Sequence, residues 1–410
     1  MDLKEARQIA LGLAGRLPWE PVGLDSALGR VIAEPLCVGR DIPADPRSRW
    51  DGYALSCRDC ESARPETPVF LEIAPGETAA GEKPGEALRG KSFRIMTGGV
   101  LPAGTDAVIP FEDAAASGNF LVFKGPVRTG AGVIAPGAEA RRGELLLEQG
   151  DLLTPTRLAL AAAAGKNALR VARRPRVAVL ATGDELREPD RCDECAATPC
   201  NNIYLFANLV RVCGAEPVEL GMAPDDPGAI LRKLRKADAD LVITTGGMGR
   251  GSRDFMPEVW KSLGLKIHFE NLNLVPGKRS ALATGGGCIF LGLPGNPWAA
   301  RIVFEEIAAP VIRSFLGLER CGSFSLSARS FGSMAKKKGL YQAFEGILEI
   351  EDGACGFVPN DAGIRNDLSS FRTGMAYALL GPQCTQLAEG DTVQVKVPDL
   401  PLLAWAILNL

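Results

Sequence analysis

The chain has 410 residues, which is enough for two to four domains at about 150 residues each. Hydrophobic residues make up 46% and charged residues 23%, values typical of a water-soluble globular protein. With 46 basic and 49 acidic side chains, the net charge is −3, so no overall positive field favours a nucleic-acid partner. The single histidine, His268, excludes catalysis by several histidines and argues against a histidine-based zinc site.

The sequence gives no indication of a membrane partner. No apolar run reaches the about 18 residues that a membrane helix needs, and the apolar segment 399–410 is too short to span. The N-terminus lacks the basic-then-apolar order of a signal peptide. Eleven cysteines, an odd number, favour free thiols over a disulfide framework. We therefore expect a cytoplasmic protein.

The first part of the chain combines helical and β-rich patterns. Apolar residues at helical spacing predict an amphipathic helix over residues 2–17. Residues 46–131 contain short β-rich runs separated by Gly, Pro and Glu, which predicts a compact β region. Thr154 and Pro155 then predict the start of a helix that Gly165 can close.

From residue 174 the pattern alternates between strands and helices. The predicted strands are Val177–Ala181, Val218–Leu220, Leu241–Thr245 and Cys288–Leu293. The predicted helices are Ile203–Val212, Gly228–Ala237, Phe255–Leu263 and Ala299–Leu316. This alternation predicts a parallel sheet with helices on both faces. After about residue 320 the chain becomes β-rich again, with a predicted hairpin of Ala343–Ile350 and Ala354–Val358 and a half-buried strand around Val395.

Three predicted strands of this α/β region end in polar, glycine-rich turns, at Leu180–Leu186, Thr244–Asp254 and Leu293–Pro297. A fourth ends in Asp225 and Asp226. Glycines let the backbone approach a ligand, and exposed N–H groups can hold an oxyanion. Because ligands of parallel sheets bind beyond the carboxyl ends of the strands, we expect these turns to form one site.

The acidic residues of these turns indicate a cation. Glu185, Asp225 and Asp254, combined with amide donors and the hydroxyls of Thr244 and Thr245, suit an anionic substrate bridged by a hard divalent ion, for which we expect Mg²⁺. The alternative for any single loop is that Gly and Asp only make turns and helix caps. The sharing of one sheet edge by four loops favours the ligand site.

Two further motifs offer other chemistry. Gly85–Ser92 matches the P-loop pattern, but it is preceded by Glu-Lys-Pro and followed by a strand-like segment, which argues against a phosphate-binding P-loop. Cys192, Cys195 and Cys200 could bind a metal, with Cys57-x2-Cys60 completing the site; the alternative is a loop with reduced thiols. His268 lies in a strand-like stretch and is expected to be a packed or edge residue.

The ordered set of motifs resembles the molybdopterin molybdenumtransferase family, the MoeA type that includes the gephyrin E domain. The resemblance covers nearly the whole chain. The segments that carry it are Asp41–Pro43, Trp50–Ala54, Arg94–Gly99, Leu101–Val108, Thr182–Leu186, Asp225–Pro227, Thr244–Asp254 and Leu293–Pro297. The last of these matches the family's LPGNP in every letter. Each motif alone is weak, whereas the ordered set is specific.

The resemblance implies an α/β and β multidomain fold of four regions. These are an elongated linking and dimerisation region (1–45 with 132–172), a β-rich lid domain (46–131), a three-layer α/β molybdopterin-binding domain (173–318) and a C-terminal β-barrel-like domain (319–410). The family forms homodimers in which the α/β domain of one subunit faces the lid of the other. We therefore expect parts of the site to come from both subunits.

The resemblance also implies a reaction and its participants. Family members bind adenylylated molybdopterin and molybdate, insert the metal into the dithiolene and release AMP, which gives the molybdenum cofactor. Mg²⁺ is the expected cofactor, and a molybdopterin adenylyltransferase is a further expected partner. Two alternatives remain open, namely a non-catalytic molybdopterin-binding scaffold and a variant that prefers tungstate, since both oxyanions are tetrahedral dianions of nearly equal size.

Site residues follow from the resemblance position by position. The expected catalytic residues are Asp51, Glu185, Asp225 and Asp254, of which the last three are also the expected metal ligands. The expected substrate-binding residues are Thr97, Glu139, Thr182, Gly183, Thr244, Thr245, Gly246, Gly247, Gly249, Ser252, Lys278, Pro294 and Pro297.

This chain departs from the family at positions that affect charge. Glu139 stands where the family usually has Asp. Asn271 and Val275 stand where it offers basic residues, although Lys278 and Arg279 remain. We expect these changes to alter oxyanion affinity or choice rather than the fold.

Overall fold

The computed structural model describes residues 1–82, 89–191, 197–249, 251, 254–319, 321–351, 354–360 and 376–398. Within these residues, no helix is both long and apolar enough to cross a membrane. Outside them lie residues 85–88 of the P-loop-like segment, Cys192, Cys195, Ser252 and the apolar segment 399–410.

Residues 1–50 contain one helix and three short strands: α1 (Leu3–Leu13), β1 (Trp19–Gly23), β2 (Leu36–Cys37) and β3 (Arg47–Ser48). Asp2 starts the helix, because its carboxylate accepts a hydrogen bond from the amide of Lys4 at 2.9 Å. The helix ends at Leu13, short of the predicted residue 17, because Ala14 is already extended ahead of Gly15.

The predicted β region is a six-stranded sheet of β4 (Gly52–Leu55), β5 (Val69–Thr78), β6 (Lys91–Ile95), β7 (Ala107–Pro110), β8 (Ala116–Ser117) and β9 (Phe120–Phe123). Their order in the sheet is β7-β4-β6-β5-β9-β8. All four residues of β4 are buried, and β4 pairs antiparallel with both β6 and β7. The inner strand thus fixes where the residues at either of its ends are presented.

Residues 132–172 return along the first segment of the chain. They form β10 (Val133–Ile134), β11 (Leu145–Leu147), α2 (Pro155–Ala163) and β12 (Ala168–Ala172). These three strands pair antiparallel with β3, β2 and β1 respectively. As predicted, Thr154 caps α2, and Gly165 follows its end with a φ of +78°.

The α/β region contains both predicted element types. Its strands are β13 (Arg176–Thr182), β14 (Leu186–Arg187), β15 (Thr198–Pro199), β16 (Glu216–Ala223), β17 (Leu241–Thr245), β18 (Lys266–Glu270), β19 (Leu274–Val275), β20 (Ala281–Gly285) and β21 (Cys288–Leu293). Its helices are α3 (Asn201–Val212), α4 (Pro227–Leu234), α5 (Met256–Ser262), α6 (Pro297–Val303) and α7 (Ala309–Phe315), with a π-helical turn Phe304–Ala308 between the last two.

The central sheet has the order β16-β13-β17-β21-β20-β18. The first four strands are parallel, as predicted, whereas β20 and β18 add an antiparallel edge. Successive side chains of a strand enter opposite cores: Val177 and Val179 pack with α1, α3, α6 and α7, and Ala178 and Leu180 pack with α4 and α5. The sheet therefore has helices on both faces.

The chain after residue 320 forms a small barrel. Its strands are β22 (Ser325–Ser330), β23 (Met334–Ala335), β24 (Tyr341–Glu351), β25 (Ala354–Pro359), β26 (Ala376–Leu380), β27 (Gln386–Leu387) and β28 (Thr392–Lys396). The pairings β24-β25-β22-β28-β26-β24 close on themselves. The predicted hairpin is β24–β25, and the predicted alternation is seen in Val393 and Val395, both buried in this barrel.

A buried carboxylate joins three parts of the chain. Glu306, in the π-helical turn, is fully buried and pairs with Arg7 of α1 and, at 2.5 Å, with Lys396 of the barrel. The Tyr377 hydroxyl donates to the same carboxylate at 2.7 Å. Burial, together with the nearby negative charge, raises the pKa of Tyr377 well above its usual value, so the hydroxyl remains a donor.

Candidate functional site

A pocket of about 540 Å³ lies beyond the carboxyl ends of β13, β17 and β21. Among the described residues, its walls are formed by Thr182, Gly183, Glu185, Asp225, Gly246, Gly247, Met248, Gly249, Gly251, Asp254, Arg279, Pro294 and Gly295. We call it the strand-end pocket. It brings together nine of the expected site residues from four loops that are far apart in sequence.

The loop after β17 needs glycine for both conformation and space. Gly246 has a φ of +91° and Gly247 a φ of +65°, in the left-handed region that other residues avoid. A Cβ atom on Gly246 would lie 2.5 Å from the carbonyl oxygen of Thr182. Glycine therefore allows this loop to lie directly against the end of β13.

The same loop presents unused hydrogen-bond donors. The amides of Gly247, Met248 and Gly249 donate to no acceptor within the part of the chain that the structure describes. By contrast, the amide of Gly246 donates to the carbonyl of Leu293 at 3.3 Å. Successive backbone N–H groups facing a concavity form a binding site for anions.

The carboxylates are positioned by contacts within and between their loops. A Cβ atom on Gly183 would lie 2.7 Å from Oε2 of Glu185, so this carboxylate folds back over the glycine. Asp225 and Asp184 exchange hydrogen bonds with each other's backbone amides, at 3.0 and 3.4 Å. The Oδ2 atom of Asp254 accepts from the amide of Gly251 at 2.6 Å.

These acidic residues share the pocket without forming a ready-made metal cluster. Within the described ranges, no group of three or more His, Cys, Asp or Glu side chains is close enough to hold a metal ion. Asp254 accepts a hydrogen bond inside its own turn, whereas Asp225 accepts one from the loop that follows β13. The expectation that Glu185, Asp225 and Asp254 jointly ligate one cation is therefore not met by this arrangement.

The basic residue that lines the pocket is one position away from the expected one. The described wall includes Arg279, whereas the expected Lys278 is exposed outside it. The turn before them is held by the Ser280 hydroxyl, which donates to the carbonyl of Gly277 at 2.9 Å. Two adjacent basic residues cannot be told apart by sequence alone, since the turn decides which one faces the pocket.

The strand-end hydroxyls were expected to bind substrate. Thr182 lines the pocket, but Thr244 and Thr245 are buried within β17 and are not among the described wall residues. The Thr182 hydroxyl donates to the carbonyl of Thr245 at 3.4 Å. Sheet burial covers Thr244 and Thr245 in this conformation, and their direct contact with a ligand stays a prediction.

Some residues of the turn after β21 line the pocket, and others start helix α6. Pro294 and Gly295 line the pocket, whereas Pro297 is the first residue of α6 and is not on the described wall. Asn296 caps that helix by accepting from the amide of Ala299 at 3.0 Å. Sequence reasoning missed Asn202, a buried residue whose side-chain amide donates to the carbonyl of Gly295 at 2.8 Å.

Three more expected residues lie in other parts of the chain, away from this pocket. Asp51 and Thr97 are exposed at one end of the β-rich sheet, where Asp51 accepts hydrogen bonds from the Thr97 amide at 2.7 Å and hydroxyl at 2.8 Å. These bonds lower the pKa of Asp51, the amide contributing more than the hydroxyl. Glu139 is also exposed, and its amide donates to the carbonyl of Ile42 at 2.9 Å.

The described residues of the alternative motifs form no second catalytic centre. Burial raises the pKa of Cys57 to about 11 and that of Cys60 to about 12, so both thiols stay protonated. Cys200 is buried, with its expected partners outside the described residues. His268 is on β18, where its Nε2 lies 2.8 Å from the Thr284 hydroxyl, as expected for an edge residue.

Comparisons with known proteins agree with this architecture. The MoeA N-terminal region (domain I and II) matches residues 1–165, and a probable molybdopterin binding domain matches residues 178–314. A molybdopterin molybdenumtransferase of Nostoc sp. is 36% identical over 307 residues, covering 73% of this chain and 70% of the relative. Its counterpart in Bacillus subtilis is 29% identical over 390 residues, covering 93% and 90%.

A solved structure matches over the full architecture. The crystal structure of a molybdopterin biosynthesis MoeA protein from Pyrococcus horikosii has a TM-score of 0.87 and 27% identity, covering 97% of this chain and 99% of that one. The match includes the α/β domain that forms the strand-end pocket. The chain belongs to the molybdopterin molybdenumtransferase family, the MoeA family, and has a role in molybdenum cofactor biosynthesis.

Proposed function

We propose that this chain inserts a molybdate-derived metal into adenylylated molybdopterin and releases AMP. One observation carries the proposal: the unused amides of Gly247, Met248 and Gly249 share a pocket with Glu185 and Asp254. Amide donors suit the phosphates of the substrate, and carboxylates suit a cation that accompanies them. A site of this composition fits a reaction at a phosphate-bearing substrate.

Each group of residues then has a distinct task. The amides and Arg279 bind and orient phosphate, since all of them are donors or positive charges on one wall. Asp254 keeps the glycine loop in its binding conformation through the Gly251 amide. Gly183 and Gly246 have no side chain, which lets their loops lie close enough for these groups to share one pocket.

The pocket also fits Mg²⁺ in the way proteins usually bind it. This ion is typically held by one or two carboxylates, with waters and substrate phosphates completing the octahedron. Separate carboxylates such as Glu185 and Asp225 suit that mode better than a closed three-ligand cage. When bound, Mg²⁺ would neutralise negative charge on the phosphates and on the departing AMP.

We further propose a homodimer in which the Asp51–Thr97 pair of one subunit completes the strand-end pocket of the other. Both residues are exposed, and their geometry is already fixed by two hydrogen bonds. We also propose a cytoplasmic location, which the nine free thiols among the described residues favour, and a molybdopterin adenylyltransferase as the partner that supplies substrate.

The direct test is incubation of the purified chain with adenylylated molybdopterin, Mg²⁺ and either molybdate or tungstate. We expect oxyanion-dependent release of AMP, measured by chromatography. The matched control is the Asp254→Ala protein, purified in the same way, which reports contaminating hydrolases. AMP release with tungstate alone would identify a tungstate-preferring variant, and release with neither oxyanion would favour the scaffold alternative.

A further inference from the structure

A second cavity, of about 220 Å³, lies in the β-rich region. Its walls are formed by Ser56, Arg58, Asp59, Arg89, Lys91, Gly104 and Thr105. We call it the arginine pocket. It shares no wall residue with the strand-end pocket.

The arginine pocket lies at the end of the β-rich sheet opposite to the Asp51–Thr97 pair. Asp51 precedes β4 and Ser56 follows it, so the two are about 16 Å apart at about 3.3 Å per residue. The antiparallel neighbour β6 agrees, because Lys91 begins this strand and Thr97 follows its end. The arginine pocket is therefore a separate site of the same sheet.

The charges of this pocket are unbalanced. Among the described wall residues, three side chains are basic and one is acidic, a net charge of +2. Lys91 is paired with Glu72 at 3.1 Å outside the wall. By contrast, the Arg58 and Arg89 side chains make no hydrogen bond or ion pair with any residue that the structure describes.

A hydrogen bond holds the two arginine-bearing loops together. The carboxylate of Asp59, next to Arg58, accepts from the amide of Gly90, next to Arg89, at 3.0 Å. This contact uses the pocket's one carboxylate to fix the backbone, rather than to neutralise either guanidinium group. The two arginines are thus presented to one cavity by loops that are 31 residues apart.

Part of the P-loop-like segment is explained by this arrangement. Lys91–Ile95 is a strand and the Ser92 side chain is buried, so the helix that a P-loop requires does not follow. Arg89 and Lys91 of that segment nevertheless line the arginine pocket. The basic residues therefore face a concavity, although not in P-loop geometry.

We infer that the arginine pocket binds a tetrahedral dianion of the phosphate type, held by the guanidinium groups of Arg58 and Arg89. Guanidinium forks match the oxygens of such anions in pairs, and the Ser56 hydroxyl adds a donor on the same wall. The volume is about seven times the ~30 Å³ share of a water molecule, which leaves room for the anion and several waters.

The test is a titration of the ¹⁵N-labelled full chain with inorganic phosphate, following the amide signals of Ser56, Gly90 and Thr105. To separate the two pockets, the titration is done on wild type and on Arg279→Gln, which alters only the strand-end pocket. We expect saturable shifts of the three signals in both proteins. Absence of these shifts in both would overturn the inference.

Substitutions of Arg58 and Arg89 test whether these side chains bind the phosphate. We expect Arg58→Gln or Arg89→Gln to weaken phosphate binding at these signals about tenfold, because each removes a charge-assisted hydrogen bond. Arg128→Gln, the same change on an exposed side chain outside the pocket, should leave it unchanged. Arg58→Lys or Arg89→Lys should give intermediate affinity, since lysine retains the charge but not the guanidinium fork. Unchanged affinity in both glutamine variants would overturn the inference.

The source of the anion is distinguished by competition. Molybdate is the free oxyanion that the proposed function requires, and AMP carries a phosphate monoester. Displacement of phosphate by molybdate but not AMP would identify a free oxyanion, and tighter binding of AMP would identify a nucleotide phosphate. Failure of all three anions to bind would contradict the site, without bearing on AMP release at the strand-end pocket.

Discussion

Two regions of the molecule carry the expected acidic residues, and they present them differently. In the strand-end pocket, Glu185 and Asp254 stand beside unused amides, and every loop is fixed by glycine contacts or hydrogen bonds. At the end of the β-rich sheet, Asp51 is paired only with Thr97 and faces solvent. The first region is a concave pocket within one chain, whereas the second is an exposed pair that we propose completes the pocket of a second subunit.

This difference indicates which region binds the substrate and which region completes the site. A pocket with fixed donors can bind and orient phosphate by itself, because the cost of ordering its loops is already met in the fold. An exposed carboxylate with a lowered pKa brings negative charge and a fixed direction, but no enclosure. We therefore treat the strand-end pocket as the binding site and the Asp51–Thr97 pair as its complement from the second subunit.

The largest effect is expected at Asp254. Asp254→Ala removes a carboxylate and also the acceptor for the Gly251 amide, so AMP release should fall by about 1,000-fold, in the range of losing a preorganised active-site group. Asp254→Asn is the matched variant, since its side-chain oxygen can still accept that bond. Near-wild-type AMP release by the alanine variant would show that this carboxylate has no role.

A smaller loss is expected when the glycine loop is displaced. Gly246→Ala adds a Cβ atom 2.5 Å from the Thr182 carbonyl and strains a φ of +91°, so the loop must move and AMP release should fall by about 100-fold. Gly286→Ala is the control, since it also has a positive φ but nothing within 4 Å of the added atom. Equal losses in the two variants would mean that backbone strain, rather than loop position, controls activity.

The smallest effect is expected when the Asp51–Thr97 pair loses one of its two hydrogen bonds. Thr97→Val removes the hydroxyl donor but keeps the amide, so the pKa of Asp51 should rise yet remain below its ordinary 3.8. A lowered folded-state pKa stabilises the fold above the unfolded pKa, and this effect is lost as pH falls through the folded value. The difference in stability between the two proteins should therefore be present at neutral pH and disappear in acid. Carboxyl ¹³C NMR would measure the pKa of Asp51 in both proteins. An unchanged pKa would show that the amide alone sets it.

The sequence predicted the α/β region closely where burial governs the pattern. Leu241–Thr245 and Cys288–Leu293 are strands with the predicted bounds, because each is an apolar run closed by a polar turn. The strand Ala281–Gly285, which lies between β21 and the edge strand β18, was not predicted, since its short, small-residue pattern resembles a turn. The π-helical turn within the predicted helix Ala299–Leu316 also has no sequence pattern that marks it.

The sequence predicted which loops meet at the site better than it predicted which side chains face the pocket. Sequence order identified the loops that meet at the sheet edge, because parallel strands end on one side. It did not identify Asn202, which acts through a single bond to the Gly295 carbonyl, or the choice of Arg279 over Lys278. These depend on side-chain direction after folding, as does the separation of the three carboxylates.

The account depends most on a site shared between two subunits, and complementation tests this directly. Asp51→Ala and Asp254→Ala proteins, each inactive alone, are mixed by unfolding and refolding together, and tagged mixed dimers are isolated. Each mixed dimer should contain one pocket with both carboxylates, so AMP release should return to about half of the wild-type rate per dimer. No recovery in verified mixed dimers, with both parent proteins folded, would contradict the proposal that Asp51 acts across the subunit interface.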